Sequence, residues 1–358
     1  MRILVVKLGS IGDIVHTLPA LAAIRRAQPT AEIGWVVEAR SAEILRGNLY
    51  IDHLIEVDTS RLRQRMSVDE LLRELRSQVS EIRKLKFDIA LDFQGLIKSA
   101  IVAKLSGAKR RWGFAGRARR EPASRVFLTD TVKVPKGTHV IQKNLMLARA
   151  AFGMAGDDGS LEFPIAISAI EINEASAVVG KVGDRFAILN PGGGWVTKLW
   201  PAENYGVLAD RLWTELGVTS ILVTGPAEST LAARALGASH SGKLIAAEPS
   251  LKGLVELAKH ATVYVGGDTG PTHLALAAGT PVVGIFGPTE WWRNGSIRPD
   301  DICVERTDID CRIDCHRRRC SNWICMDIGV ERVFQAARER IIRAGNSISN
   351  NLNGKKAG

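Results

Sequence analysis

The chain reads as an α/β protein built from two Rossmann-like domains facing one cleft. Three observations predict this. Two glycine-bearing turns, VVKLGSIGD ending at Asp13 and VYVGGDTGPTHLALAAG around Asp268 and His273, lie more than 250 residues apart, each after an apolar run and before a helical pattern. Strand-length apolar runs alternate with helical patterns in two series of similar size. A chain of 358 residues, 46% of them hydrophobic, can bury two cores.

In the first series, residues 1–8 form a strand, 9–13 its turn and 14–27 a helix that tolerates Pro19 near its first turn. Strands follow at 33–37, 53–57 and 87–93, and LIKSAIVAKLSG forms the next helix. Between them, residues 61–84 are charged with apolar positions at helical spacing. The repetition extends to about 160, where AGDDGS marks a break. The second series has strands at 186–190, 220–225, 261–266 and 281–287, with a glycine turn and a helix over about 201–215 after the first of them. This divides the chain into domains 1–170 and 171–328. A helix over 329–344 is expected to fold back across the first domain, and residues 345–358, rich in Asn, Ser, Lys and Gly, are expected to be disordered.

The formal charge of +10 is concentrated in residues 61–125, which hold 17 Lys or Arg against 7 Asp or Glu. Such a region suits an anionic ligand or surface, whether nucleic acid, phosphorylated lipid or bilayer, and equally a solvated charged face. No RRM, OB-type aromatic pattern or recognition helix supports nucleic acid. The opening strand-like ILVV lacks the layout of a secretory signal, and no apolar stretch reaches the roughly 18 residues that span a bilayer. A cytoplasmic enzyme is expected.

Asp13, at the end of the first turn, can act as a proton acceptor beside the cleft or simply cap the following helix. In GGDTGPTH, Thr269, Gly270 and their backbone donors open a helix whose positive end suits a diphosphate. Asp268 would repel that phosphate, so sugar hydroxyls are its better partners, with His273 polar at the rim. The loop NPGGGWVTKLWP joins Gly192, Gly193 and Gly194 to Lys198, a mobile ammonium fit to stabilise a departing phosphate. It matches neither GxxxxGK[ST] nor GxGxxG, which lowers the kinase and nicotinamide-dehydrogenase readings. Trp195 and Trp200 read as packing residues. Glu228, just past a strand end, can take ribose hydroxyls or face solvent at a helix start.

Cys311, Cys315, Cys320 and Cys325 crowd fifteen residues, with Cys303 eight before them. No CxxC pair occurs, and a cytosolic chain disfavours stable disulfides. Reduced thiols are expected, with a disulfide clip or a structural metal as the alternatives; the reaction itself is expected to use none of them.

KLGSIGDIVHTLPAL, DFQGLIKSA, RREP and VGGDTGPTHLALAAGTPVVGIFGPT together resemble the ADP-heptose:lipopolysaccharide heptosyltransferases, glycosyltransferase family 9, over nearly the whole chain. DFQGLIKSA and RREP tilt the resemblance toward heptosyltransferase I. It implies GT-B architecture and an inverting reaction that needs no metal or other cofactor, ADP-heptose being a substrate. The implied general base is Asp13 and the phosphate-contacting lysine is Lys198. The donor set becomes Gly192, Gly193, Gly194, Lys198, Glu228, Asp268, Thr269, Gly270 and His273, and the acceptor set Gly12, Arg61, Arg63, Lys98 and Arg120. Three glycines stand where type I members often carry hydroxyl residues ahead of the lysine. The implied partners are ADP-heptose, Kdo2-lipid A or a related anionic core acceptor, and the cytoplasmic face of the inner membrane, touched peripherally. Another family 9 donor or acceptor, a non-hydrolysing nucleotide-sugar epimerase and a noncatalytic anionic-glycolipid-binding protein are the competing readings.

Overall fold

The computed structural model describes residues 1–58, 79–156, 161–313 and 315–354, with side chains as far as residue 345. They form two compact units, Met1–Ala166 and Ile167–Gly358. In the first, strands β1 (Arg2–Val6), β2 (Glu32–Glu38), β3 (His53–Val57), β4 (Ile89–Asp92), β5 (Arg110–Phe114) and β6 (Asp130–Val132) make one sheet in the order β3-β2-β1-β4-β5-β6. The second repeats this plan with β7 (Phe186–Asn190), β8 (Thr219–Val223), β9 (Leu244–Ala247), β10 (Val263–Gly267), β11 (Val282–Phe286) and β12 (Ile302–Glu305), ordered β12-β11-β10-β7-β8-β9. Every pairing is parallel, for example Val5 opposite Trp35 and Leu189 opposite Val265.

Parallel strands need crossovers, and crossovers cover both faces of the sheet, so central strands become apolar throughout. FAILN of β7 and VVGIF of β11 are buried at every position. The strand order reverses between β1 and β4 and again between β7 and β10. Loops leaving the carboxyl ends of those strands diverge there and leave room for a ligand.

The expected helix over 14–27 is two helices, Ile11–Val15 and Leu18–Ala27. Pro19 has no N–H to continue the first one. The junction is satisfied otherwise: Thr17 Oγ1 donates to the Asp13 carbonyl at 2.8 Å and Asn144 Nδ2 to the His16 carbonyl at 2.9 Å. Most of the charged 61–84 segment, with Arg61 and Arg63, lies outside the described residues.

The C-terminal helix runs Val330–Gly354, and its apolar face joins the core of the second unit. Val333, Phe334, Ala336 and Ala337 join Trp200, Tyr205, Leu208 and Ile285 in one core. Trp200 Nε1 donates to the Ile328 carbonyl at 2.7 Å, fixing the helix entry. Arg340 Nε donates to Asp301 Oδ1 at 2.8 Å, and that oxygen also accepts the Val282 N–H at 2.9 Å, so a buried charge pair ties the helix to β11. Phe334→Ala is expected to cost the second unit about 3–5 kcal/mol, the range for emptying a buried aromatic site, measured as a fall in its urea midpoint.

Candidate functional site

In the first unit, the chain leaves β1 through Lys7 and turns into the short helix that carries Asp13. Ser10 is the N-cap of that helix and Asp13 lies in its first turn, so Asp13 is not itself the cap. Lys7, 2% exposed, places Nζ 3.5 Å from Asp13 Oδ1 and donates to the Phe93 carbonyl at 3.1 Å. Arg120 Nη2 reaches both Asp13 oxygens, at 3.2 and 3.4 Å. Burial pushes the Asp13 carboxyl up, but Lys7 and Arg120 outweigh it and hold the pKa at about 2. Burial pulls the Lys7 ammonium down, against the attraction of Asp13.

Arg120 is delivered by a contact between two of the sequence motifs. Gly95, at φ +69°, accepts N–H bonds from Arg120 and Glu121 at 3.1 Å each. Glu121 Oε2 in turn accepts the Ile97 N–H at 2.6 Å, satisfying the start of helix Ile97–Leu105. DFQGLIKSA and RREP are therefore one physical unit. Asp92 anchors its turn by accepting N–H bonds from Gln94 and Gly95 at 2.9 and 3.1 Å, and burial raises its carboxyl. Lys98 from the same motif binds the buried Glu38 at 2.8 Å, and Arg40 binds it too. Gly12 lies within the Asp13 helix, its carbonyl accepting the His16 N–H at 2.9 Å.

The second unit brings most of its expected residues together. Lys198 Nζ donates to Asp268 Oδ2 at 2.5 Å and sits 4.3 Å from the Trp195 ring centroid. Asp268 Oδ1 accepts from Asn294 Nδ2 at 2.6 Å and lies 3.3 Å from His273 Nε2. Burial opposes ionisation of Asp268, but His273 and Lys198 hold its carboxyl well below the ordinary range. Thr269 caps helix Gly270–Ala277, whose second residue is Pro271, so unpaired N–H groups gather at this strand end.

Glu228 binds protein backbone. Its carboxylate accepts the Gly193 N–H at 2.9 Å and the Gly225 N–H at 2.8 Å, stapling the loop after β7 to the loop after β8. The Gly193 donor expected to face a phosphate is thus already taken. A Cβ on Gly192 would fall 2.1 Å from Glu228 Oε2, and one on Gly193 would fall 2.8 Å from Thr269 Cγ2, whereas Gly194 has nothing within 4 Å. Close packing therefore requires the first two glycines of the triplet.

Lys7, Glu38 and Asn294 escaped the sequence reading. Lys7 offered one signal, an ammonium at the end of an otherwise apolar strand; Glu38 and Asn294 gain their meaning from contacts 60 and 26 residues away. Trp200 is a core residue as expected, while Trp195 packs against cations. All five cysteines are unbridged, and among the described residues no group of three or more His, Cys, Asp or Glu side chains is placed to hold a metal ion. No described helix is long and apolar enough to cross a membrane.

Two Rossmann-like units of this order define a GT-B protein, and the solved structures agree. The structure titled glycosyl transferase family 9 from Veillonella parvula superposes with TM-score 0.81 at 22% identity, covering 96% of this chain and 97% of that one. The E. coli heptosyltransferase WaaC with ADP-2-deoxy-2-fluoro heptose gives TM-score 0.71 at 25% identity, over 85% of this chain and 93% of its own. In sequence, lipopolysaccharide heptosyltransferase 1 of Pseudomonas aeruginosa is 30% identical over 289 residues, covering 81% of this chain and 79% of that protein. The model of glycosyltransferase family 9 (heptosyltransferase) matches residues 75–323. The chain belongs to that family.

Two measurements check the site geometry. Arg120→Ala is expected to raise the Asp13 pKa from about 2 toward its ordinary value, read by carboxyl-resolved NMR titration. A depressed native pKa gives stability that is present above the unfolded value and lost as pH falls through the native one. The variant should therefore retain less of its stability above about pH 4 and show a shallower loss below it. Gly192→Ala should cost about 1–3 kcal/mol through overpacking against Glu228, whereas Gly194→Ala should stay within about 0.5 kcal/mol, both by urea unfolding.

Proposed function

We propose that this protein is an inverting heptosyltransferase of type I, moving heptose from ADP-L-glycero-D-manno-heptose to the Kdo region of the lipopolysaccharide inner core. The Lys198–Asp268 pair at the carboxyl ends of β7 and β10 carries the reading. It holds an ammonium against a carboxylate beside the N-terminus of helix Gly270–Ala277, so an arriving diphosphate can take over Lys198 while Asp268 turns to sugar hydroxyls. An ADP-heptose donor fits the ligand of the E. coli relative. Type I is favoured by DFQGLIKSA and RREP, joined here through Gly95 and Arg120.

In the reaction, an acceptor sugar hydroxyl attacks the anomeric carbon as its bond to the ADP oxygen breaks, which inverts that centre. Asp13 takes the hydroxyl proton. Lys198 and the N–H groups at Thr269 and Gly270 stabilise negative charge on the departing ADP, a task divalent cations perform in metal-dependent transferases. With its pKa at about 2, Asp13 is ionised at neutral pH but is a weak base. An anionic acceptor that draws Arg120 to itself removes positive charge from Asp13 and strengthens it when substrate is bound.

Arg120 and Lys98, with Arg61 and Arg63, suit the carboxylates of Kdo and the phosphates of lipid A. The basic first domain suits peripheral contact with the cytoplasmic face of the inner membrane.

Mass spectrometry of ADP-heptose with Kdo2-lipid A, in EDTA, tests this reading. Wild type is expected to add one heptose. Asp13→Ala should lose about 10²–10⁴-fold in turnover, the usual contribution of a positioned base, while keeping its affinity for ADP; Lys198→Ala should lose both. Normal turnover in D13A would sink the base assignment, and wild-type transfer only to other core acceptors would reject type I.

A further inference from the structure

The cysteine-bearing segment is docked against the donor-side loops by hydrogen bonds and an ion pair that use none of its thiols, while the Cys325 side chain packs in the core. Arg312, 5% exposed, donates from Nε to the Gly287 carbonyl at 3.1 Å and from Nη2 to Glu305 Oε2 at 2.6 Å. The His316 N–H reaches the Pro288 carbonyl at 2.9 Å. On the other side, Thr197 Oγ1 donates to the Arg317 carbonyl at 2.7 Å, and Trp323 Nε1 returns a bond to the Thr197 carbonyl at 3.0 Å. The segment therefore grips the turn Val196–Lys198 next to Lys198 itself.

This grip brings Arg318 to the same indole that Lys198 packs against. The Arg318 guanidinium carbon lies 4.8 Å from the Trp195 ring centroid, and Lys198 Nζ lies 4.3 Å from the same centroid. Two cations thus converge on one indole, whose electron-rich face attracts each of them. Lys198 is neutralised by Asp268, whereas among the described residues no carboxylate pairs with the exposed Arg318. The result is an excess positive charge over Trp195, the residue that follows the glycine triplet, on a planar side chain able to present two parallel N–H donors to phosphate oxygens.

We propose that Arg318 is a donor-binding residue, a second cation that contacts the diphosphate of the nucleotide-sugar alongside Lys198, with Thr197 and Trp323 holding it in place. This rests on the reading of the second unit as the donor site. It assigns the segment Asp310–Met326 a part in donor binding.

Calorimetric titration of the full-length protein with ADP, and with AMP for comparison, tests the contact. Arg318→Ala is expected to weaken ADP binding about tenfold or more, as for loss of a charge-assisted phosphate contact, and to narrow the preference for ADP over AMP. Arg318→Lys should fall between A and wild type, keeping the charge but losing the fork. Arg319→Ala, with the same change in net charge, should bind ADP within about twofold of wild type, because a diffuse field alone is weakly felt in salt. Circular dichroism checks that each variant is folded. ADP affinity unchanged in R318A, or lost equally in R319A, overturns the Arg318 contact alone. A wild type that does not bind ADP overturns the donor-site reading and this contact with it.

Discussion

Wholly parallel sheets impose the constraint on which everything else depends. A parallel pair cannot be closed by a tight turn, so each strand must return through a crossover, and the crossovers cover both sheet faces. Chemistry is left to the strand ends. In each unit the winding reverses beside the first strand, and the candidate site residues gather there: Lys7 and Asp13 after β1, Asp92 at the end of β4 and Lys98 beyond it, Lys198 after β7, Asp268 and His273 after β10. The repetition of one strand order explains why two sequence segments so far apart look alike.

Both units use the same electrostatic device at that position. A carboxylate taken largely out of water would ordinarily protonate. Asp13 is kept ionised by Lys7 and Arg120, and Asp268 by Lys198, His273 and Asn294. The surroundings differ in a useful way. Arg120 is half-exposed and reaches Asp13 from another loop, so an anion can compete for it; Lys7 is buried against the Phe93 carbonyl and stays. A carboxylate held by one fixed and one removable cation changes its proton affinity with occupancy.

Most of the readable strands were those whose burial is two-sided, with the half-buried edge strand β3 at 53–57 the exception. RILVV, IALD, FAILN, TSILV and VVGIF carry enough consecutive apolar residues to declare themselves as central strands. β5, RRWGF, opens on two arginines, and β6, β9 and β12 are short sheet edges with mixed burial, so nothing in their composition separates them from loops. The site divides similarly. Asp13, Lys198, Asp268, Thr269 and His273 stand in glycine-marked turns. Glu38, Asn294 and Arg318 act only through partners brought near by the fold. The C-terminal helix shows the limit: its stripe of Val333, Phe334 and Ala337 announces an apolar face but not the core that receives it, which Arg340 and Asp301 decide.

The cysteine segment illustrates how an irregular stretch can be ordered without cross-links. Four thiols within fifteen residues are unbridged, and the segment's anchors are a buried guanidinium on Glu305 and two carbonyls, a backbone bond to Pro288, and a reciprocal pair of bonds with Thr197. Each satisfies a polar group that burial would otherwise leave costly. The thiols have unlike environments: burial pushes Cys303 and Cys325 up, while N–H groups of Trp323 and Asn322 draw Cys320 down. Trp323 links these facts, because its backbone N–H meets Cys320 Sγ at 3.3 Å while its indole holds the Thr197 carbonyl. The order of the segment and the position of Lys198 therefore depend on the same few hydrogen bonds.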